Sequence, residues 1–391
     1  MALLGIVLVN IQSFAWGISA PTMGMLWDDA TKADETVVYL TTFLLAYKFY
    51  PIFCFCFGYG FAMMVRRWRV GGLPPAAIRI RFTRRLNFMF WLGVLHGCLI
   101  WFGDILARYA LAGYLLRAHL SNDQRGPRAI LRAIKFWAVI TLLLAALNAL
   151  LSATFGTSLA ASSTDIEQMM RVFERYAYAD YTHNIAPRIT DYGWVMLSWL
   201  MVFPQAVLLF LVGALVAQLG WLRNPARHAD KWRRILFGAL LLGLPWSWLM
   251  AADALTWSLD PSAASNLLGA IALSLAPLLA PAYVAGMALG SLTKVGAIAV
   301  RLLAPMGRLA LTNYLAQSVL MSVLLAGHGF GWADAGQSSL AGIALAIWLA
   351  LLLFSHVYLR FRTQGPAELA WRRHTNKLKH KQLSGVSTEN G

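Results

Sequence analysis

Five side chains with hydrogen-bonding or ionisable groups fall inside long apolar runs of this 391-residue sequence: Asn10, Lys48, His96, Asn313 and Gln317. An imidazole has a reference pKa of about 6.5, so His96 is the member suited to act as general base or transient acyl carrier. It sits in Gly93-Val94-Leu95-His96-Gly97, where small residues leave room beside the ring. Asn313 and Gln317 are four residues apart and share one helix face; with Asn10 they could orient a bound group, and Lys48 could bind substrate. Each also has a structural reading. Amides glue helices together, a lysine can snorkel, and a lone histidine can be hydrogen-bonded core.

Other polar residues sit at the margins of the same runs. Asp104 and Arg108 are four apart and spaced for a local ion pair, while Asp104 is also a second catalytic candidate beside His96. Asp253 and His328 are weaker candidates of the same kind. Arg81, Arg84 and Arg85 cluster below His96, where they could meet lipid headgroups or the phosphates of an anionic cofactor. The three cysteines, Cys54, Cys56 and Cys98, lie in apolar segments as small hydrophobes. No zinc spacing, disulfide framework, Gly-rich phosphate loop, serine nucleophile elbow or His-Glu-x-x-His pattern is present, so the expected metal content is none.

The elements that must hold these residues follow from composition. Hydrophobic residues make up 59% of the chain and charged ones 13%, with mean hydropathy +0.59, too apolar for the exterior of a soluble fold. Apolar stretches of about 18 residues or more cross roughly 30 Å of hydrocarbon as helices, and lipid leaves no water to satisfy open sheet edges. The expected class is therefore all-α, a polytopic membrane bundle. Spans at roughly 1–20, 36–65, 86–103, 105–118, 136–155, 193–221, 235–256, 264–289, 307–327 and 338–359 give about ten transmembrane helices. Counted from those ends, the five mid-run polar residues lie roughly 9–18 Å deep.

The net charge of +16 reads as topology and not as nucleic-acid binding, because the basic residues gather in alternate connections. Residues 66–85, 119–135, 222–234 and the basic tail 361–391 are the cytoplasmic ones on this reading, and both termini face the cytoplasm. The first apolar run lacks a basic segment before it and carries Pro21 after Ser19 and Ala20, so it reads as a retained helix and not a cleaved signal. Residues 1–360 form one transmembrane domain. It carries an outer-face insertion at 156–192 holding two short helices, and an interfacial helix at 291–305 whose Lys294 and Arg301 share a face.

A set of short motifs runs from one end of the chain to the other. Leu4-Gly5-Ile6-Val7-Leu8-Val9-Asn10 opens it, followed by Lys48-Phe49-Tyr50-Pro51 with Phe57-Gly58-Tyr59-Gly60. Arg84-Arg85, His96-Gly97 and Gly103-Asp104-Ile105-Leu106 with Tyr109 come next. Gly307-Arg308-Leu309-Ala310-Leu311-Thr312-Asn313-Tyr314 with Gln317-Ser318, and Gly365-Pro366-Ala367-Glu368 with Trp371-Arg372, complete it. In this combination the sequence resembles the YeiB-like family of bacterial inner-membrane proteins of unknown function. That family typically carries a short stretch ending in Arg-Gly ahead of the segment that starts here at Met1, so the chain reads as truncated at its start.

The family in turn is similar in architecture to membrane acyltransferases that pass an acyl group from cytoplasmic acyl-CoA to an acceptor at the outer face. That likeness implies a location in the bacterial inner membrane, the lipid bilayer as partner, and an envelope or small-molecule acceptor. It would place acyl-CoA phosphates on Arg84 and Arg85, the chemistry at His96 and Asp104, and the acyl group among Asn10, Asn313 and Gln317. Two other classes compete with it. A transporter would use the same polar residues to line a solute path, with Pro51, Pro204, Pro245, Pro277 and Pro281 breaking helices; a silent scaffold would leave those residues mutually satisfied.

Overall fold

The computed structural model describes residues 2–17, 30–120, 126–155, 166–256 and 278–376, together with 267, 271, 274 and 275. Regular structure among the described residues is helical throughout. The first half runs α1 (Ala2–Trp16), α2 (Lys32–Leu44), α3 (Phe49–Val70), α4 (Pro75–Leu99), α5 (Leu106–Leu120), α6 (Pro127–Phe155) and α7 (Ile166–Tyr178). The second runs α8 (Tyr181–Leu219), α9 (Ala229–Thr256), α10 (Ala280–Gly290), α11 (Lys294–Arg308), α12 (Ala310–Leu325), α13 (Gln337–Phe361) and α14 (Pro366–Asn376).

Among the described residues, five helical stretches are long and apolar enough to cross a membrane: Lys32–Val70, Pro127–Leu151, Tyr181–Leu219, Ala226–Ala252 and Gln337–Phe361. A sixth results if α10 and α11, which meet at 109°, count as one broken span. These helices suggest a membrane protein, and its outer face agrees: Leu142, Leu143, Phe237, Leu241 and Leu353 are each more than 60% exposed. These five or six do not by themselves make up the ten expected: several of the apolar runs form short helices, and the run expected at 264–289 lies largely outside the described residues. At 1.5 Å per residue α1, α5 and α12 reach only about 23–24 Å, and much of their surface is buried in the hydrophobic core.

Several boundaries differ from the sequence reading for local reasons. The run 36–65 is interrupted between α2 and α3, where Tyr47 takes φ +61°. Pro51 occupies the first turn of α3, the one part of a helix where a missing N–H costs nothing. The arginines between residues 79 and 85 are helical and not a loop, since α4 starts at Pro75 and only 71–74 separate it from α3. Among the described residues of the stretch 156–192, α7 is the one separate short helix. The second half of that stretch is the start of α8, capped by the Asp180 side chain, which accepts from the His183 N–H at 3.2 Å.

Helices α3 and α8 form the closest packed pair, and glycines permit it. A Cβ on Gly58 would stand 1.9 Å from the Phe210 carbonyl oxygen, and one on Gly213 would stand 2.1 Å from that of Phe55. Tyr109 of α5 fills the adjoining core against Tyr50, Phe57 and Phe210, its hydroxyl 3.2 Å from the Cys54 sulfur. Three of the sequence motifs thus pack on one another here.

On another face, Asp34 accepts from Thr31 in a capping box and from the Ser338 N–H at 2.7 Å, tying α2 to the start of α13. Gln12 of α1 donates to Gln337 of α13 at 2.9 Å. The Asn184 amide donates to the Arg175 carbonyl, and Asp191 accepts from Arg175 at 2.7 Å and from the Tyr176 hydroxyl at 2.5 Å, which fastens α7 to α8. Burial, with the Asp191 carboxylate beside it, holds the Tyr176 phenol well above the usual tyrosine range.

Candidate functional site

His96 lies near the C-terminal end of α4, 2% exposed, with the fully buried Asp104 across from it. Its Nδ1 is 3.0 Å from Asp104 Oδ1. A carboxylate is an acceptor, so this contact assigns the proton to Nδ1 and leaves Nε2 with its lone pair. Nε2 is buried and meets no hydrogen-bonding partner among the described residues. The second carboxylate oxygen, Oδ2, accepts from the Ala107 N–H at 2.9 Å and so caps the first turn of α5. One aspartate therefore fixes both a helix end and an imidazole.

Tyr314 of α12 completes the cluster. Its hydroxyl donates to Asp104 Oδ1 at 3.4 Å and accepts from the Ile105 N–H at 3.2 Å, and its ring centroid is 5.2 Å from that of His96. The two helices can approach because Gly93 has no Cβ, which would stand 2.2 Å from the Ala107 nitrogen and 2.5 Å from Asp104 Oδ2. Gly97 leaves the same kind of room for the Tyr192 ring of α8. Arg108 does not pair with the Asp104 side chain, against the spacing argument. It donates from Nε to the Asp104 carbonyl at 2.6 Å and from the guanidinium tip to the Gly103 carbonyl at 2.8 Å, holding the turn that presents the carboxylate.

The amides on α12 are fully buried. Asn313 donates to the Met306 carbonyl at 3.2 Å and to Ser355 Oγ at 2.9 Å, and its Oδ1 has no partner. Gln317 has no partner among the described residues at either end of its carboxamide. Each such group costs on the order of 1–3 kcal/mol in desolvation, and Gln317 is one turn from Tyr314. Lys48 is buried in the break between α2 and α3, where its Nζ donates to the Thr42 carbonyl at 2.7 Å and closes the last turn of α2. It faces Gly243 and Ser247 of α9 across a small cavity, and no described hydrogen bond joins it to His96 or to the amides. Asn10 is half-buried on α1, a helix that packs on α12 and α13.

Below His96 the arginine cluster meets the tail. The Arg85 guanidinium carbon lies 3.6 Å from the centroid of the Trp371 ring of α14, and the Trp371 indole donates to the Arg85 carbonyl at 3.0 Å. Arg81, Arg84 and Arg85 are each half-buried. Glu368 accepts from the Leu311 and Thr312 N–H groups at 2.8 and 3.1 Å and from the Thr312 hydroxyl at 2.5 Å, capping α12. Sequence reasoning quoted Glu368 without giving it this task; its signal was an acidic residue in a chain with only 17 of them. His328, beyond α12, bonds Ser322 at 3.1 Å and stacks edge-on to Tyr181, away from His96; the Asp253 side chain is outside the described residues.

An apolar cavity of about 970 Å³ adjoins both levels. Trp371, which stacks on Arg85, and Tyr314, which bonds Asp104, line it together with Met89, Leu240, Tyr283 and Gly286, while His96, Asp104, Arg84 and Arg85 themselves lie behind that lining.

The chain is similar to known proteins over most of its length. Residues 216–377 match the family described as "Protein of unknown function (DUF418)". Over 408 residues the chain is 27% identical to uncharacterized protein YeiB of Escherichia coli (strain K12), covering 99% of this chain and 97% of that one. The chain is thus similar to YeiB along nearly its whole length. The YeiB-like pattern extends to uncharacterized protein YxaH of Bacillus subtilis (strain 168), 27% identical over 95% of this chain and 91% of that protein. An uncharacterized 39.9 kDa protein in the amylase 3′ region of Bacillus acidopullulyticus is 29% identical over 97% and 92%. No solved structure matches significantly.

Proposed function

We propose that the protein transfers an acyl group from cytoplasmic acyl-CoA to an acceptor at the outer face of a bacterial inner membrane. On this reading it crosses the bilayer about ten times, the short helices being shielded by longer ones, and keeps both ends in the cytoplasm. The observation that carries the reading is the cavity, which touches Trp371 beside Arg85 on one side and Tyr314, bonded to Asp104, on the other.

In the reaction, an acceptor hydroxyl attacks the thioester carbonyl while His96 Nε2 takes the hydroxyl proton. The new C–O bond forms, the C–S bond breaks, and the departing thiolate recovers the proton from the imidazolium, giving an ester and free CoA. Asp104 holds the imidazole orientation through Nδ1 and faces the charge that develops there. Gln317 and Asn313 Oδ1 supply polar groups to the reacting region, and Arg84 and Arg85 bind the CoA phosphates. The eleven residues from Arg85 to His96 span roughly 16 Å along α4, a gap an extended pantetheine arm covers.

Binding of acyl-CoA to protein in nanodiscs tests this. Charge-assisted contacts contribute on the order of 1.5–3 kcal/mol each, so changing Arg84 and Arg85 together to Gln should weaken binding at least about tenfold, while His96→Ala should leave it intact. Failure of every acyl-CoA to bind would remove the reading. The transporter alternative draws on the 109° bend between α10 and α11, which also line the cavity, and it predicts solute flux without CoA release.

A further inference from the structure

The cavity is larger than a short acyl group needs. Taking a methylene as about one water's share of volume, roughly 30 Å³, a sixteen-carbon chain fills on the order of 500 Å³, against about 970 Å³ here. An acetyl group would leave most of the apolar surface uncovered. One wall is formed by α9 with Leu240 and Leu244 and by α10 and the residue before it with Leu279, Tyr283 and Gly286, α10 packing on α9 and α3.

Gly286, like Gly290 and Gly307 on the same cavity, differs from the glycines that hold helices together, and unlike Gly290 and Gly307 it lies within α10 and not at or near a helix end. A Cβ on Gly296 would strike the Gly290 carbonyl at 2.0 Å, and one on Gly243 would meet Leu279 at 2.7 Å, so those two serve packing. A Cβ on Gly286 meets nothing within 4 Å, although the residue is half-buried and lines the cavity. A bare helix surface facing open apolar space costs helix propensity, about 1 kcal/mol relative to Ala, without a packing return.

We infer that the cavity is the binding site for the long acyl chain of the donor thioester, and that Gly286 sets the chain length it accepts. The occupant is the donor's chain because the cavity adjoins the cationic Arg85–Trp371 stack on one side and the imidazole–carboxylate pair, through Tyr314, on the other. A thioester bearing phosphates, a reactive carbonyl and an apolar tail matches all three. The inference rests on the acyl-transfer reading and adds the substrate class to it.

The test is competition by palmitoyl-, octanoyl- and acetyl-CoA for the full chain in nanodiscs, with empty nanodiscs as blank. Full burial of one methylene is worth up to about fourfold in affinity, so palmitoyl-CoA should bind at least about a hundredfold more tightly than octanoyl-CoA. Gly286→Phe should weaken palmitoyl-CoA tenfold or more and leave octanoyl-CoA unchanged, its retained binding showing that the variant folds. Gly286→Leu repeats the comparison with a smaller obstruction and decides the matter if the phenylalanine variant loses both ligands. Acyl-CoAs that bind without regard to length, or a chain preference untouched by either variant, would overturn the inference and leave acyl transfer standing. Equal competition by phosphatidylglycerol would assign the cavity to a bilayer lipid and overturn it too. Loss of binding to every acyl-CoA would instead sink the underlying reading.

Discussion

Asp104 performs two tasks with one carboxylate, and the two can be separated by mutation. Asparagine caps a helix about as well as aspartate, so Asp104→Asn should keep the Ala107 bond and cost little stability, yet the imidazole would lose the acceptor that fixes its tautomer. We expect kcat for CoA release to fall by about 10²–10⁴ with KM nearly unchanged. A fall in thermal midpoint matching the loss of activity would instead make Asp104 structural. Polar type at membrane depth singled out His96 in the sequence, because such groups are expensive there, whereas Asp104 stood at the margin of an apolar run and its spacing pointed to Arg108 instead. Tyr314 was not singled out, since a tyrosine in an apolar helix is ordinary and only the tertiary contact across 210 positions gives it a role. Lys48 shows the converse: depth marked it, but its amine closes the end of α2.

At the scale of elements, apolar periodicity located the long helices and missed how two motifs distant in sequence lock together. Gly307–Gln317 and Gly365–Trp371 meet because Glu368 caps α12 and Gly365 leaves room, a Cβ there standing 2.2 Å from Glu368 Oε2. Glu368→Ala removes three acceptor contacts and should destabilise the protein by about 1–2 kcal/mol, read as a lower melting midpoint in detergent. An unchanged midpoint would show that α14 does not hold α12. The α3–α8 contact is stricter: Gly58→Leu forces side-chain volume into the Phe210 backbone and should abolish the monodisperse folded peak in gel filtration. Helix ends were the least legible feature, because the basic stretch before residue 86 reads as loop by charge while arginine propensity and Pro75 favour helix.

For the molecule as a whole, the basic connections argue that the α3–α4 turn and the tail share the cytoplasmic side. Cysteine introduced at the exposed Ala76 of a cysteine-free variant should react with an impermeant maleimide only in inside-out vesicles; labelling in intact cells would invert the topology. Acyl transfer needs that orientation, since the arginines must meet a cytoplasmic donor. Its most direct test is the release of CoA thiol from palmitoyl-CoA by inside-out vesicles that retain their native acceptors. The account predicts thiol release by the wild type and a loss of at least about a hundredfold in His96→Ala, with palmitoyl-CoA binding preserved. Equal release by the two proteins would contradict it.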